Sequence, residues 1–289
     1  MVASTLPSWL RRPLPAAGEI SSMKAVLRSS GLATVCESAR CPNLGECFRN
    51  RTSTFMILGK ICTRSCTFCG VSSGLPEAPD SGEPMRVASA AKALNLAHVV
   101  VTSVTRDDLP DGGAGSFAEV VREINAALPK ATVEVLIPDF KGEESALSTV
   151  VSARPDVLNH NLETVSSLTR SIRSGAEYRR SLGVLSRARI LGAKVTKTGI
   201  MVGLGETLGE LYEFFGELCD TGVDILTIGQ YLEPGPAKLP VQRYYEVDEF
   251  AELAEKARSA GIKQVFSGPF VRSSYHAGEI LADLNCKHG

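Results

Sequence analysis

From residue 54 onward the apolar residues fall into two alternating patterns. Short, nearly continuous apolar runs occur at Thr54–Lys60, His98–Val104, Thr132–Ile137, Asp156–Asn159, Lys194–Val202, Asp224–Ile228 and Gln264–Ser267. Between most of them lie longer segments with a helical apolar period: Val87–Asn95, Gly115–Ala127, Glu143–Ala153, Ser181–Leu191, Thr207–Cys219 and Val247–Ala260. The short runs read as strands covered on both faces, and the longer segments as helices with one buried stripe. Thr207 and Glu210 have the spacing of a capping box, with Leu208, Leu211, Phe215 and Leu218 forming one stripe behind them. Gly261 follows Ala260 as a C-terminal cap. Repeated βα units predict a parallel sheet. A dinucleotide-binding sheet would carry a glycine fingerprint after its first strand. A cysteine loop occupies that place, so the expected fold is α/β, a partial (β/α)6 TIM-like barrel.

The two ends of the chain stand outside this alternation. Residues 1–53 are irregular apart from an amphipathic piece around Ile20–Leu32, ended by Gly31. Gly268-Pro269 marks a turn after the last strand that can send the chain across the barrel. The expected division is therefore an N-terminal extension (1–53), a barrel (54–267) and a C-terminal extension (268–289), with the extensions covering the barrel mouth.

Composition narrows the classes of function. The chain has 289 residues and a net charge of −1, with Lys and Arg dispersed, which argues against a nucleic-acid partner. No run has the apolar length of a membrane span. Met1–Gly18 is rich in Ser and Pro and has no acidic residue, but it has only two Arg, no clear amphipathic helix and no secretory core. Of eight cysteines, six sit in two ligand-like triplets rather than in a disulfide framework. That use of thiols predicts a reducing compartment: the cytoplasm, or an organelle matrix or stroma in a eukaryote. Cys219 and Cys286 read as a helix core residue and a tail thiol.

The most informative stretch is Cys62-Thr63-Arg64-Ser65-Cys66-Thr67-Phe68-Cys69, spaced C-x3-C-x2-C directly after the first strand. Three thiolates on one tight loop can hold three corners of a cubane iron–sulfur cluster and leave one iron open for chemistry. A structural zinc site prefers four protein ligands, and no fourth cysteine follows at short range. Upstream lies a second triplet, Cys36, Cys41 and Cys47, spaced C-x4-C-x5-C, with Pro42 and Gly45 supplying turns. Alone, that triplet is ambiguous between zinc, a ferredoxin-like cluster and coincidence.

Polar residues then gather where a barrel of this kind does its chemistry, at the C-terminal ends of the strands. Thr102-Ser103 runs on to Asp107-Asp108, followed by Pro138-Asp139, Asn159-His160-Asn161-Leu162-Glu163, Gly199 to Glu206, and Gln230 to Pro234. Five such ends in succession predict a lined mouth. His160, between two asparagines at a strand end, reads as a ligand, an acid/base group or a hydrogen-bond partner, the last being preferred. The Asp107/Asp108 pair suits either a cation or a helix cap.

The first loop, with Phe just before its last cysteine, resembles the signature of the radical S-adenosylmethionine (SAM) enzymes. The whole chain, from Trp9-Leu10-Arg11 to the tail, resembles the lipoyl synthases within that superfamily. The residues carrying the likeness are 36–47, 62–69, Thr-Ser-Val-Thr-Arg-Asp-Asp-Leu at 102–109 and Arg-Ser-Ser-Tyr-His-Ala at 272–277. No motif position departs from the pattern. The resemblance implies two [4Fe–4S] clusters. Cys62, Cys66 and Cys69 would hold the SAM-cleaving one, and Cys36, Cys41, Cys47 and Ser274 the auxiliary one. It implies SAM contacts at Phe68, Thr102, Ser103, Asn161, Glu163 and Lys197, with Gly199, Met201, Gly203 and Glu206 near the adenine. The implied reaction inserts sulfur at C6 and C8 of an octanoyl chain on a lysine of a lipoyl carrier domain or H protein, with the auxiliary cluster as sulfur donor. An electron donor such as flavodoxin or ferredoxin and iron–sulfur assembly factors would be the other partners. The competing classes are a radical SAM enzyme thiolating RNA or a small molecule, a two-cluster electron carrier, and a structural double-zinc protein.

Overall fold

The structure, a computed structural model, describes residues 6–11, 21–39, 41–49, 52–275 and 277–278. Arg12, His276 and Cys286 lie outside the described residues, and Ala277 and Gly278 are helical. After a single turn of 3-10 helix at Ser8–Leu10 come α1 (Ser21–Ser29), β1 (Ala33–Thr34), α2 (Val35–Ser38) and α3 (Leu44–Arg49). Next are β2 (Thr54–Ile57), the small strands β3 (Ile61–Cys62) and β4 (Ser72–Ser73), then α4 (Glu83–Ala93), β5 (His98–Ser103), α5 (Ala114–Ala127), β6 (Thr132–Leu136) and α6 (Glu144–Ser152). The chain continues with β7 (Val157–Asn159), α7 (Ser166–Ile172), α8 (Tyr178–Ile190), β8 (Thr196–Val202), α9 (Leu208–Thr221), β9 (Ile225–Gln230), α10 (Val247–Ser259) and β10 (Gln264–Gly268).

The main sheet runs β1-β2-β5-β6-β7-β8-β9-β10, parallel throughout except for β1, which pairs antiparallel with β2. Six βα units and a seventh parallel strand thus form a partial barrel whose first and last strands do not pair. The expected elements of residues 83–268 are all present within a few residues of their expected bounds. The strands are less uniform than their apolar composition suggests. On β8, Ile200 and Val202 pack into the core while Gly199 and Met201 border a cavity. On β9, Leu226 and Ile228 face the same core, and Thr227 and Gly229 the cavity. The period of two therefore gives one face to the helices and the other to the site.

One core cluster joins Met23, Leu27, Leu32 and Phe48 of the N-terminal elements to β2, α4, β5, α5, β6 and α6. A second joins α8, α9 and α10 to β8, β9 and β10. The capping box at α9 forms as expected. The stripe behind it shifts: Leu208 is 43% exposed, and Phe214 takes a buried place beside Leu211, Phe215 and Leu218. Cys219, read as a core residue, is half-buried. No helix among the described residues is long and apolar enough to cross a membrane.

The C-terminal tail does more than cover the mouth. Ser273 sits against Gly199, midway along β8, and Gly278 lies against His98, the first residue of β5. The tail therefore passes from the C-terminal end of the strands toward their N-terminal end.

Candidate active site

The loop Cys62–Cys69 is pinned at its non-cysteine positions. Thr63 donates its amide N–H to the Thr105 carbonyl at 3.0 Å, and Thr67 does the same to Ile172 at 3.0 Å. Arg64 makes a forked pair with Asp107 (2.7 and 2.9 Å) and a third bond to Asp139 (2.7 Å). Planar, bidentate guanidinium–carboxylate pairing fixes orientation as well as position. Cys62, Cys66 and Cys69 then line one cavity of about 210 Å³ with Phe68, Thr102, Ser103, Asn161 and Glu163. Of the acidic pair read as a cation site or cap, Asp107 is held by Arg64 and Asp108 by Arg106 at 2.8 Å.

Two further residues border this cavity, His160 and one that the sequence did not single out. Arg173, at the end of α7, is 8% exposed and donates to the Leu162 carbonyl and to Ser181 Oγ. His160 bonds through Nδ1 to the Ile137 carbonyl at 2.9 Å, as its reading as a hydrogen-bond partner requires, while its Nε2 has no partner. Burial, helped by the Arg173 charge, pulls His160 down to about 4, so its ring is neutral. Burial raises the Glu163 carboxyl, and Arg173 opposes that shift. Ser103 Oγ is also buried without a partner. A cation, a carboxyl and unsatisfied polar atoms on one wall suit a zwitterionic ligand.

The second triplet is assembled by α2 and α3. Thr34 caps α2 by accepting from the Glu37 amide, and the Cys41 amide bonds the Cys36 carbonyl at 3.0 Å. Cys36, Cys41 and Cys47 line a narrow crevice of about 20 Å³, and Ser274 borders it too. The tail is tied down on either side of Ser274. Asn43 Nδ2 donates to the Phe270 carbonyl at 2.7 Å, and Tyr275 Oη donates to Glu46 Oε1 at 2.7 Å. Ser273 points elsewhere, to Asn161.

Between the two thiol sets lies a chamber of about 540 Å³. Cys36, Cys41 and Ser274 border it on one side, and Phe68, Cys69, Asn161 and Glu163 on another, with Leu6, Tyr231 and Leu232 adding apolar surface. Burial pushes the Cys36 and Cys69 thiols up to about 11 and raises Cys66 as well. Such thiols stay protonated unless a strongly binding cationic centre converts them to thiolates. Among the described residues no group of three or more His, Cys, Asp or Glu is placed to hold a single metal ion. The donors instead border shared space in two sulfur-rich sets, a donor chemistry that fits iron–sulfur clusters.

Three expected SAM contacts lie away from these cavities. Lys197 is fully buried in β8, with Nζ 3.0 and 3.1 Å from the two carboxylate oxygens of Glu134. It shares a face with Gly199 and Met201 but lies nearer the start of β8, where its charge is met by Glu134 of β6. Glu206 accepts from the amides of Gly203 (2.6 Å) and Leu204 (2.9 Å) and from Tyr245 Oη (2.9 Å). Gly203 has φ +97°, and a Cβ there would stand 2.4 Å from the Arg243 carbonyl oxygen. These two residues shape the loop after β8. Gly199 and Met201 do border the chamber.

A family model described as the radical SAM superfamily matches residues 56–218. The fold agrees: methylornithine synthase has a TM-score of 0.55 at 14% identity, over 88% of this chain and 79% of that one. Fold, thiol loop and family model together define a radical SAM enzyme, and with it a [4Fe–4S] cluster and SAM. The lipoyl synthase of Symbiobacterium thermophilum is 54% identical over 96% of this chain and 87% of its own length. That of Rubrobacter xylanophilus is 52% identical over 96% and 87%. The chain belongs to the lipoyl synthase family and is a sulfur-inserting enzyme of the radical SAM type.

Proposed function

We propose that the chain inserts two sulfur atoms, at C6 and C8 of an octanoyl group carried on a lysine of a lipoyl carrier domain. The observation that carries this reading is the chamber of about 540 Å³ bordered by cysteines of both triplets. That volume lies within the range of small-molecule sites, and its apolar walls suit an acyl chain. Cys62, Cys66 and Cys69 hold one cluster, and Cys36, Cys41, Cys47 and Ser274 a second. When bound, the first cluster would supply the electron for the reductive cleavage of SAM. The second cluster is a substrate, since its sulfides end in the product.

The side chains of the first cavity then have separate tasks. Arg173 offers its buried charge to the SAM carboxylate, and Glu163 with Asn161 offers acceptors and donors to the amino and ribose groups. Ser103 and Thr102 border the same wall. Phe68 screens the loop from the chamber, and Met201 borders the space left for the adenine. Leu6, Tyr231 and Leu232 exclude water from the acyl chain, which protects a carbon radical from side reactions. The partners are the carrier domain or H protein, a reductant of the flavodoxin or ferredoxin class, and assembly factors that load and renew the clusters.

The test uses anaerobically reconstituted protein with SAM, dithionite and an octanoylated carrier domain, read by mass spectrometry. The carrier gains two sulfur atoms, with about two 5′-deoxyadenosines per product. Cys66→Ala forms no 5′-deoxyadenosine, whereas Cys41→Ala cleaves SAM without thiolating the carrier. Thiolated carrier from the Cys41 variant would sink the assignment of the second triplet.

A further inference from the structure

The two tail serines are neighbours in sequence but serve different walls. Ser274 borders the crevice of the second triplet. Ser273 Oγ accepts from Asn161 Nδ2 at 2.7 Å and donates to Asn161 Oδ1 at 2.9 Å. Asn161 Nδ2 also donates to Glu163 Oε1 at 3.1 Å. Glu163 has φ +67°, a left-handed backbone that a non-glycine residue adopts only when its surroundings hold it there.

This approach depends on missing side chains. A Cβ at Gly199 would stand 2.8 Å from Ser273 Oγ, and one at Gly229 only 2.1 Å from the Val271 carbonyl oxygen. Glycine inside a strand weakens it and marks a place where another backbone comes close. Adjacent strands β8 and β9 each carry one where the tail crosses. Gly199, expected beside adenine, has as its nearest neighbours Ser273, Thr227 and Asn161.

We propose that Ser273 is a positioning residue for SAM, acting through Asn161 and Glu163, and that the tail thereby couples the two thiol sites. This rests on the reading that SAM occupies the first cavity. An asparagine amide turns freely about its last torsion unless its hydrogen bonds fix it. Ser273 Oγ engages both ends of the Asn161 amide and so sets how it meets Glu163. The same peptide segment carries Ser274, so whatever moves the tail at the second site moves the hydroxyl that orients the first.

The test compares the parent, Ser273→Ala and Gly199→Ala as anaerobically reconstituted full-length proteins. Iron content and thermal unfolding are measured first. The SAM dissociation constant by equilibrium dialysis follows, then EPR spectra of the reduced proteins with and without SAM. Ser273→Ala is expected to keep the parent iron content, to bind SAM about three- to tenfold more weakly, as for loss of one hydrogen bond, and to give an altered SAM-bound spectrum. Gly199→Ala, which displaces Ser273 without removing it, gives the same spectral change. In an Asn161→Ala background, Ser273→Ala adds nothing further. Parent-like affinity and spectrum in Ser273→Ala overturn the proposal, as does a fully additive double variant. Loss of iron or of thermal stability with unchanged SAM affinity assigns Ser273 a structural role and overturns it too. Should Ser273→Ala not fold, a parent-like spectrum in Gly199→Ala is decisive against it. If the parent binds no SAM, the reading of the first cavity falls and the proposal with it. A parent that binds SAM beside an unaffected Ser273 variant overturns the proposal alone.

Discussion

The guanidinium of Arg64 lies 2.7 Å from the carboxylate of Asp139, whose side chain is fully buried. Arg180 of α8 approaches the same carboxylate at 2.9 Å. The cysteine loop is thus tied to the end of β6 and to a helix through one acidic residue. Burial would push that carboxyl up, but hydrogen bonding and charge from Arg64 hold it down to about 2. Asp139→Asn keeps the shape and leaves two guanidinium groups facing a neutral amide. Removing one partner of a buried pair costs about 3–5 kcal/mol. The variant should lose stability on that scale in urea and reconstitute with less iron on the first loop. Parent values for both would mean that the loop is held by its backbone bonds alone.

Lys197 and Glu134 form the other buried pair, and it separates structure from cofactor binding. Burial pushes the Glu134 carboxyl up, but the Lys197 charge, helped by His98 and Asn159, outweighs it and keeps the carboxyl ionised. Lys197→Met should destabilise the fold by about 3–5 kcal/mol, and Lys197→Met with Glu134→Leu should recover part of that loss. SAM affinity of the folded, loaded variant should match the parent. A large rise in its dissociation constant would return Lys197 to the cofactor site.

Ser274→Ala removes the serine hydroxyl of the tail that borders the second crevice, while the Tyr275 hydroxyl beside it stays bonded to Glu46. As a simple helix cap it would cost roughly 1 kcal/mol and leave the chemistry intact. As a cluster ligand it should leave a three-thiolate cluster and sharply reduce sulfur insertion. Ser274→Cys should hold iron at least as well, since thiolate suits iron better than a hydroxyl oxygen, and still insert sulfur poorly. Iron content with single-turnover product yield distinguishes these, and parent rates in both variants would leave Ser274 as a cap.

His160 makes a pH prediction. Its folded pKa of about 4 lies below its ordinary value of 6.5, so in the unfolded chain it takes up a proton first as the pH drops. Its contribution is therefore complete above about pH 6.5 and is lost as the pH falls toward 4, by up to about 3 kcal/mol. The stability difference between iron-free parent and His160→Gln should shrink over that window, read by urea unfolding at pH 7, 5.5 and 4.5. The comparison removes Glu163, whose raised pKa acts in the opposite direction in both proteins. A constant difference across the window would mean that His160 titrates normally.

The elements most legible in the sequence are those whose apolar period is long enough to read. The six expected helices and the strands from His98 onward qualify. Helix α7 escaped because only Leu168 and Ile172 of its seven residues are apolar, and the other five carry no stripe. Strand β1 has two residues and exists only through its pairing with Phe55 and Met56. The thiol loops were legible because their spacing is local. Arg173 was not: its partners Leu162 and Ser181 come from two different segments, and nothing in Ser171–Gly175 advertises a buried cation. The Lys197–Glu134 pair had a signal that was open to reading, a single charge inside each of two otherwise apolar or neutral strands. Such charges must find each other or go unpaired.

The hydrogen bond from Tyr275 to Glu46 spans 229 positions, and this has a meaning for how the protein is made. A ribosome adds about 5–20 residues per second. Cys36, Cys41 and Cys47 emerge first, and the segment that completes their crevice follows roughly ten to fifty seconds later at those rates. Throughout that interval the upstream thiols stand open on one side. Loading of the second site in its final form is therefore an event of the finished chain, whereas the loop from Cys62 to Cys69 meets its own neighbours in Thr105, Asp107 and Asp139 long before translation ends.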